Sequence, residues 1–131
     1  MLITEVHVEA FGKLKDEKFS LRAGLSVITG VNEIGKTTMA DFIKSMLFGL
    51  QEGEADYRHY YPYDFTGVFG GSLKVLLRTG LFYVIQRDFL TGALSVTKAS
   101  DETVIEDPET WMQNLVQGLT KEEYQKSGYI A

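Results

Sequence analysis

The residues Gly30, Val31, Asn32, Glu33, Ile34, Gly35, Lys36 and Thr37 fit the spacing G-x-x-x-x-G-K-[ST], and Thr38 follows directly. Each residue type suits one task in holding a polyphosphate. Gly30 and Gly35 lack Cβ atoms and tolerate φ > 0, so the backbone can wrap an anion and aim several N–H groups at it. Lys36 brings a flexible point charge suited to β- and γ-phosphates. Thr37 offers a hydroxyl to Mg²⁺, an ion that keeps most of its coordination for water and phosphate oxygens. Thr38 adds a second hydroxyl beside it.

Such a loop works only between a strand and a helix, and both are legible. Leu25, Val27 and Ile28 make a short apolar, β-branched run that reads as a buried strand. From Thr38 to Phe48, Met39, Phe42, Ile43, Met46 and Leu47 recur at spacings of three and four, the pattern of one buried helical face. A helix starting here turns its unpaired N–H groups and positive dipole end toward the loop. Gly49 is a natural C-cap.

The 131 residues suit one domain with a modest core, and the hydrophobic (44%) and charged (24%) fractions are those of an ordinary globular chain. With no cysteine, disulfides and thiolate metal sites are excluded, and a reducing cytoplasmic setting is consistent. No apolar run reaches membrane-spanning length and no signal peptide precedes the first strand, so no membrane partner is expected. The net charge of −5 argues against a basic nucleic-acid-binding face on this chain. It does not argue against a nucleotide held by backbone N–H groups and one lysine.

In chain order, Leu2 to Ala10 alternates Glu5, His7 and Glu9 against Val6, Val8 and Ala10, which predicts an edge or half-exposed strand with His7 solvated. Phe11 to Leu14 is a turn that leaves Lys13 solvated, and Glu17 to Leu21 a second strand. Residues 51–69 read as an acidic, then aromatic loop. Tyr57, Arg58, His59, Tyr60, Tyr61, Pro62 and Tyr63 suit base stacking, burial or a partner contact, with packing or interface preferred. Residues 70–99 form an antiparallel meander: strands over 72–78, 81–87 and 93–98, with turns at Thr79-Gly80 and Thr91-Gly92. Arg87 is read as a cross-strand ion-pair partner. A helical segment spans 107–127. Asp107 is its N-cap, Pro108 its first residue, and Trp111, Leu115 and Leu119 repeat at spacing four. Thr120 and Glu123 form a capping box.

A nucleotide hydrolase needs a second acidic metal ligand after an apolar strand and a group to orient water. Phe82 to Ile85 is followed by Gln86 and Arg87, with Asp88 only then, and Val104-Ile105-Glu106 is too short. No catalytic residue is assigned, and the site reads as one half of a whole.

Over residues 1–50, Leu2-Ile3-Thr4-Glu5-Val6, Phe11-Gly12-Lys13, Phe19-Ser20-Leu21, Gly24 to Gly30, Asn32 to Thr38 and Phe42 to Gly49 resemble the N-terminal lobe of SMC/SbcC/RecF-type ABC ATPase heads, in particular the YhaN-like group of large coiled-coil ATPases. The likeness continues, less closely, over 67–131. It implies an α/β P-loop NTPase lobe with a mixed β-layer, the phosphate-loop helix and an antiparallel side sheet. It implies ATP and Mg²⁺ as ligands, with Asn32, Glu33, Ile34, Gly35, Lys36, Thr37 and Thr38 as nucleotide contacts. The implied partners are the remainder of the head, a second protomer on ATP binding, and DNA through a full-length parent. The second metal acids, the signature motif and the coiled coil of that family are not in these residues, so DNA-linked hydrolysis does not carry over to them. Two other classes remain: a small kinase, disfavoured by the antiparallel middle, and an interaction module built on Tyr57 to Tyr63.

Overall fold

The computed structural model describes residues 2–20, 33–63, 67–77 and 79–116. Strands β1 (Leu2–Phe11) and β2 (Leu14–Ser20) come first, then helices α1 (Glu33–Phe48) and α2 (Ala55–Tyr60). Strands β3 (Gly70–Leu76), β4 (Phe82–Asp88) and β5 (Ala93–Lys98) follow, and then helix α3 (Pro108–Leu115). The strands form one antiparallel sheet in the order β2-β1-β3-β4-β5.

Alternation decides the two faces. Val6 and Val8 of β1, Leu73 and Val75 of β3, Ile85 of β4 and Val96 of β5 are all buried, and their registers put them side by side. His7, Ser72, Lys74, Gln86 and Ser95 point to the other face. A bulge at Thr4, between the pairs Ile3↔Val75 and Glu5↔Lys74, lets buried Ile3 share the core face with Val6.

Helix α1 lies on the core face because Gly71 leaves room for it. A Cβ at Gly71 would stand 2.7 Å from Phe42 Cζ and 2.2 Å from the His7 carbonyl oxygen. Met39, Phe42, Ile43, Met46 and Leu47 are all buried, as their spacing predicts. Burying each such side chain stabilises the fold by about 1.5–3 kcal/mol. Phe11 meets Phe42 edge-on at 5.3 Å and stacks on Tyr60 at 4.4 Å between ring centroids. Helix α3 packs on the same face, with Trp111 5.1 Å from Tyr83 and Met112 buried.

Several expectations change. β1 is half-exposed, as one of the two expectations had it, but it is an interior strand and not an edge: its polar alternation reports one solvent-facing side and says nothing about neighbours in the sheet plane. Because β1 pairs on both sides, the described strands form one antiparallel sheet rather than a layer and a separate side sheet. The strand expected over 25–28 lies outside the described residues. α1 starts at Glu33, ahead of Thr38, with Gly35 inside its first turns; a helical glycine costs only about 1 kcal/mol. The aromatic loop contains α2, whose buried Tyr57 and Tyr60 sit at helical spacing. Gly49 caps α1 as expected, with φ of 89° and its N–H on the Ser45 carbonyl at 2.8 Å. Asp107 caps α3, accepting from the Thr110 N–H at 3.2 Å. The capping box at Thr120 lies outside the described residues.

Candidate functional site

The glycine–lysine–threonine spacing falls at the start of α1. Asn32 and Gly30 lie outside the described residues, and Glu33, Ile34, Gly35, Lys36 and Thr37 form the first turns of the helix. The first four N–H groups of any α-helix have no intrahelical acceptor. Among the described residues they include those of Glu33, Ile34 and Gly35. Those donors, at the positive end of the helix dipole, are the set that a phosphate oxyanion needs. Thr38 follows, 6% exposed and sealed into the core side of the helix.

Beside Thr38 sits the β1–β2 turn. Phe11 pairs with Leu14 across a two-residue hairpin, and Gly12 takes φ of 60° at the first turn position. A Cβ on Gly12 would stand 4.0 Å from Thr38 Cγ2 and 3.2 Å from Tyr60 Cδ1. The turn is therefore wedged between α1 and the aromatic segment. That segment grips it through the backbone: the Gly12 N–H donates to the Tyr60 carbonyl at 2.6 Å, and the Tyr63 N–H to the Gly12 carbonyl at 3.1 Å. The same segment reaches α1 through side chains. The Tyr60 hydroxyl donates to Asp41 Oδ2, and Lys44 Nζ meets Asp56 Oδ2 at 3.3 Å. Burial, then the bond to Asp41, hold the Tyr60 phenol far above its ordinary pKa, so it stays a donor at physiological pH. Next to the turn, a cleft of about 140 Å³ is lined by Ala10, Gly12, Lys13, Leu14, Pro62 and Tyr63. Lys13 and Tyr63 stand exposed at its rim, as expected for Lys13.

The aromatic cluster thus divides by residue. Tyr57 and Tyr60 serve packing, at 9% and 6% exposure, while Tyr63 is 74% exposed. Arg87 corrects the sequence reading. It is no cross-strand ion pair: its Nε donates to the Met46 carbonyl near the C-terminus of α1 at 2.6 Å. α1 has no basic residue in its own last turn, so β4 supplies the cation that the helix end favours. The separation of 41 residues hides this contact from local pattern reading. His7 is not merely solvated, because its Nε2 lies 3.1 Å from Asp16 Oδ1 on the paired strand. Asp88 has a turn role, with Oδ1 accepting from the Leu90 N–H at 2.9 Å. Among the described residues no three His, Cys, Asp or Glu side chains gather as a metal site, and no helix is long and apolar enough to cross a membrane.

Comparison with known proteins agrees with the spacing at α1. The chain matches the family model described as AAA domain over residues 1–128. It is also similar to the uncharacterized protein YhaN of Bacillus subtilis (strain 168), 41% identical over 73 residues. That alignment covers 55% of this chain but only 7% of YhaN. No solved structure matches. The match over nearly the whole chain, with the phosphate-loop spacing at the head of α1, makes this chain a member of the AAA domain family, an SMC/SbcC-like relative with the P-loop nucleotide-binding character of that family.

Proposed function

We propose that the start of α1 binds the triphosphate of ATP with Mg²⁺, as one half of a composite ATPase site. The observation that carries this reading is that the spacing Gly30 to Thr38 runs into the N-terminal turns of α1, which starts at Glu33, in an AAA-domain chain. In this reading the N–H groups of Glu33, Ile34 and Gly35 hold phosphate oxygens, with Asn32 as a further nucleotide contact. Lys36 adds its charge at the β- and γ-phosphates, Thr37 offers its hydroxyl to Mg²⁺, and Thr38 steadies the turn behind them. Mg²⁺, bound with the nucleotide, neutralises phosphate charge there.

Residues that would complete hydrolysis are not apparent in this sequence. Asp88, the acid nearest to the expected pattern, is engaged in the β4–β5 turn. We therefore assign ATP binding to this chain. Hydrolysis, and any work on DNA in repair or chromosome maintenance, belong to the remainder of a larger head and a second protomer joined by ATP. Titration calorimetry with Mg·ATP tests the binding: the wild-type chain takes up nucleotide and Lys36→Ala does not. Equal heats from the two proteins would remove the reading.

A further inference from the structure

We propose that Tyr60 is a positioning residue for the nucleotide site, tying the β1–β2 turn to α1 just beyond its phosphate-binding turns. The proposal rests on the ATP-binding reading above and adds a device that the sequence motif does not contain.

Its basis is the number of independent ties that meet in one residue. Through its carbonyl, Tyr60 takes the Gly12 N–H at 2.6 Å. Through its ring, it stacks on Phe11 at 4.4 Å between centroids. Through its hydroxyl, it donates to Asp41 Oδ2, little more than one helical turn beyond Lys36. Gly12 is in turn packed close to Thr38, the residue that directly follows the motif. One side chain therefore sets the distance between the turn and the first turns of the helix. A phosphate site built from backbone N–H groups depends on that distance, because charge-assisted hydrogen bonds weaken steeply when geometry drifts. Sites keep their geometry when the supporting groups are themselves locked. Here the lock has a second strand, the Lys44–Asp56 pair at 3.3 Å, which joins the same two helices. Removing the Tyr60 hydroxyl alone therefore loosens the site without releasing α2.

Tyr60→Phe keeps the ring, its burial and its backbone bond, and removes only the tie to Asp41. We expect its Mg·ATP dissociation constant to rise about three- to tenfold, the size of one hydrogen bond's net contribution. Its melting midpoint without nucleotide should fall little. Amide exchange should quicken over residues 33–41 and at Gly12, and not in β4 or β5. Asp41→Asn, which keeps an oxygen acceptor, should lose less affinity than Asp41→Ala. A Tyr60→Phe chain that binds Mg·ATP like wild type, while Lys36→Ala has lost binding, overturns the positioning role alone. So does a weakening matched by a general loss of stability with uniform exchange. Wild type and Lys36→Ala behaving alike overturn the nucleotide reading, and the positioning role with it.

Discussion

Replacing Arg87 by methionine isolates the contact that holds the far end of α1. Methionine keeps an apolar stem of similar length in the same channel and removes the guanidinium. The Nε bond to the Met46 carbonyl is lost, and one of the last carbonyls of α1 goes without its partner. Hydrogen bonds made by charged groups contribute about 1.5–3 kcal/mol, and a cation at a helix C-terminus about 0.3–1 kcal/mol more. Against this stands the desolvation of the guanidinium, which methionine avoids. Burial lowers the Arg87 pKa, and the Glu109 carboxylate partly opposes that. The net loss should be about 2 kcal/mol. For a chain of this length that corresponds to a fall in Tm of roughly 5–9 °C. Trp111, the one tryptophan, lies against Tyr83 on the same sheet face and reports the transition by fluorescence in urea. An Arg87→Met loss below about 0.5 kcal/mol would refute the reasoning, because the capping bond would then have no net value. Arg87→Lys should fall between the two, since lysine keeps the charge but not the Nε geometry.

Two further outcomes follow from the packing and the caps. Gly71→Ala should cost about 3 kcal/mol or prevent folding, because the new methyl meets Phe42 and the His7 carbonyl, and backbone cannot give way cheaply; circular dichroism melts read it, and a loss below about 1 kcal/mol would contradict the close approach. Asp107→Ala should destabilise the chain at neutral pH. The Thr110 hydroxyl and N–H hold the Asp107 carboxyl below its ordinary pKa, so its contribution is present above the unfolded carboxylate range and disappears as pH falls through the folded value. Urea melts at pH 7 and at pH 3 should therefore show the gap between wild type and Asp107→Ala closing in acid, and a gap independent of pH would contradict the cap.

Much of this fold is written in local pattern. The three strands of the meander are runs rich in β-branched, aromatic and leucine residues, and Gly80 and Gly92 mark their turns with positive φ. Gly49, Asp107 and Pro108 act at the helix ends that their chemistry predicts. What local pattern missed depends on partners far along the chain. Nothing near β1 announces that β3 will pair with its second edge. Nothing near Arg87 points to Met46. The short helix α2 was hidden because six residues are too few for a period to stand out, although the spacing of Tyr57 and Tyr60 was its signal. At the candidate site, the spacing Gly30 to Thr38 is a local pattern, and the structure adds that α1 begins at Glu33 within it. The brace of Tyr60 on Gly12 and Asp41 is not local, since it joins three separate elements.

The strand order carries one more consequence. Three of the four strand pairings join sequence neighbours through short turns, but β1 meets β3 across the whole segment between Phe11 and Gly70. Closing a loop of that length costs roughly 3–4 kcal/mol of chain entropy. α1 and α2 both lie inside that loop. The helix has no complete surface to rest on until the β1–β3 seam has zipped, because Phe42 sits over Gly71 at the seam itself. Zipping the seam and seating the helix are therefore a single cooperative event, and the chain has a seated α1, N-terminal end included, only as a whole.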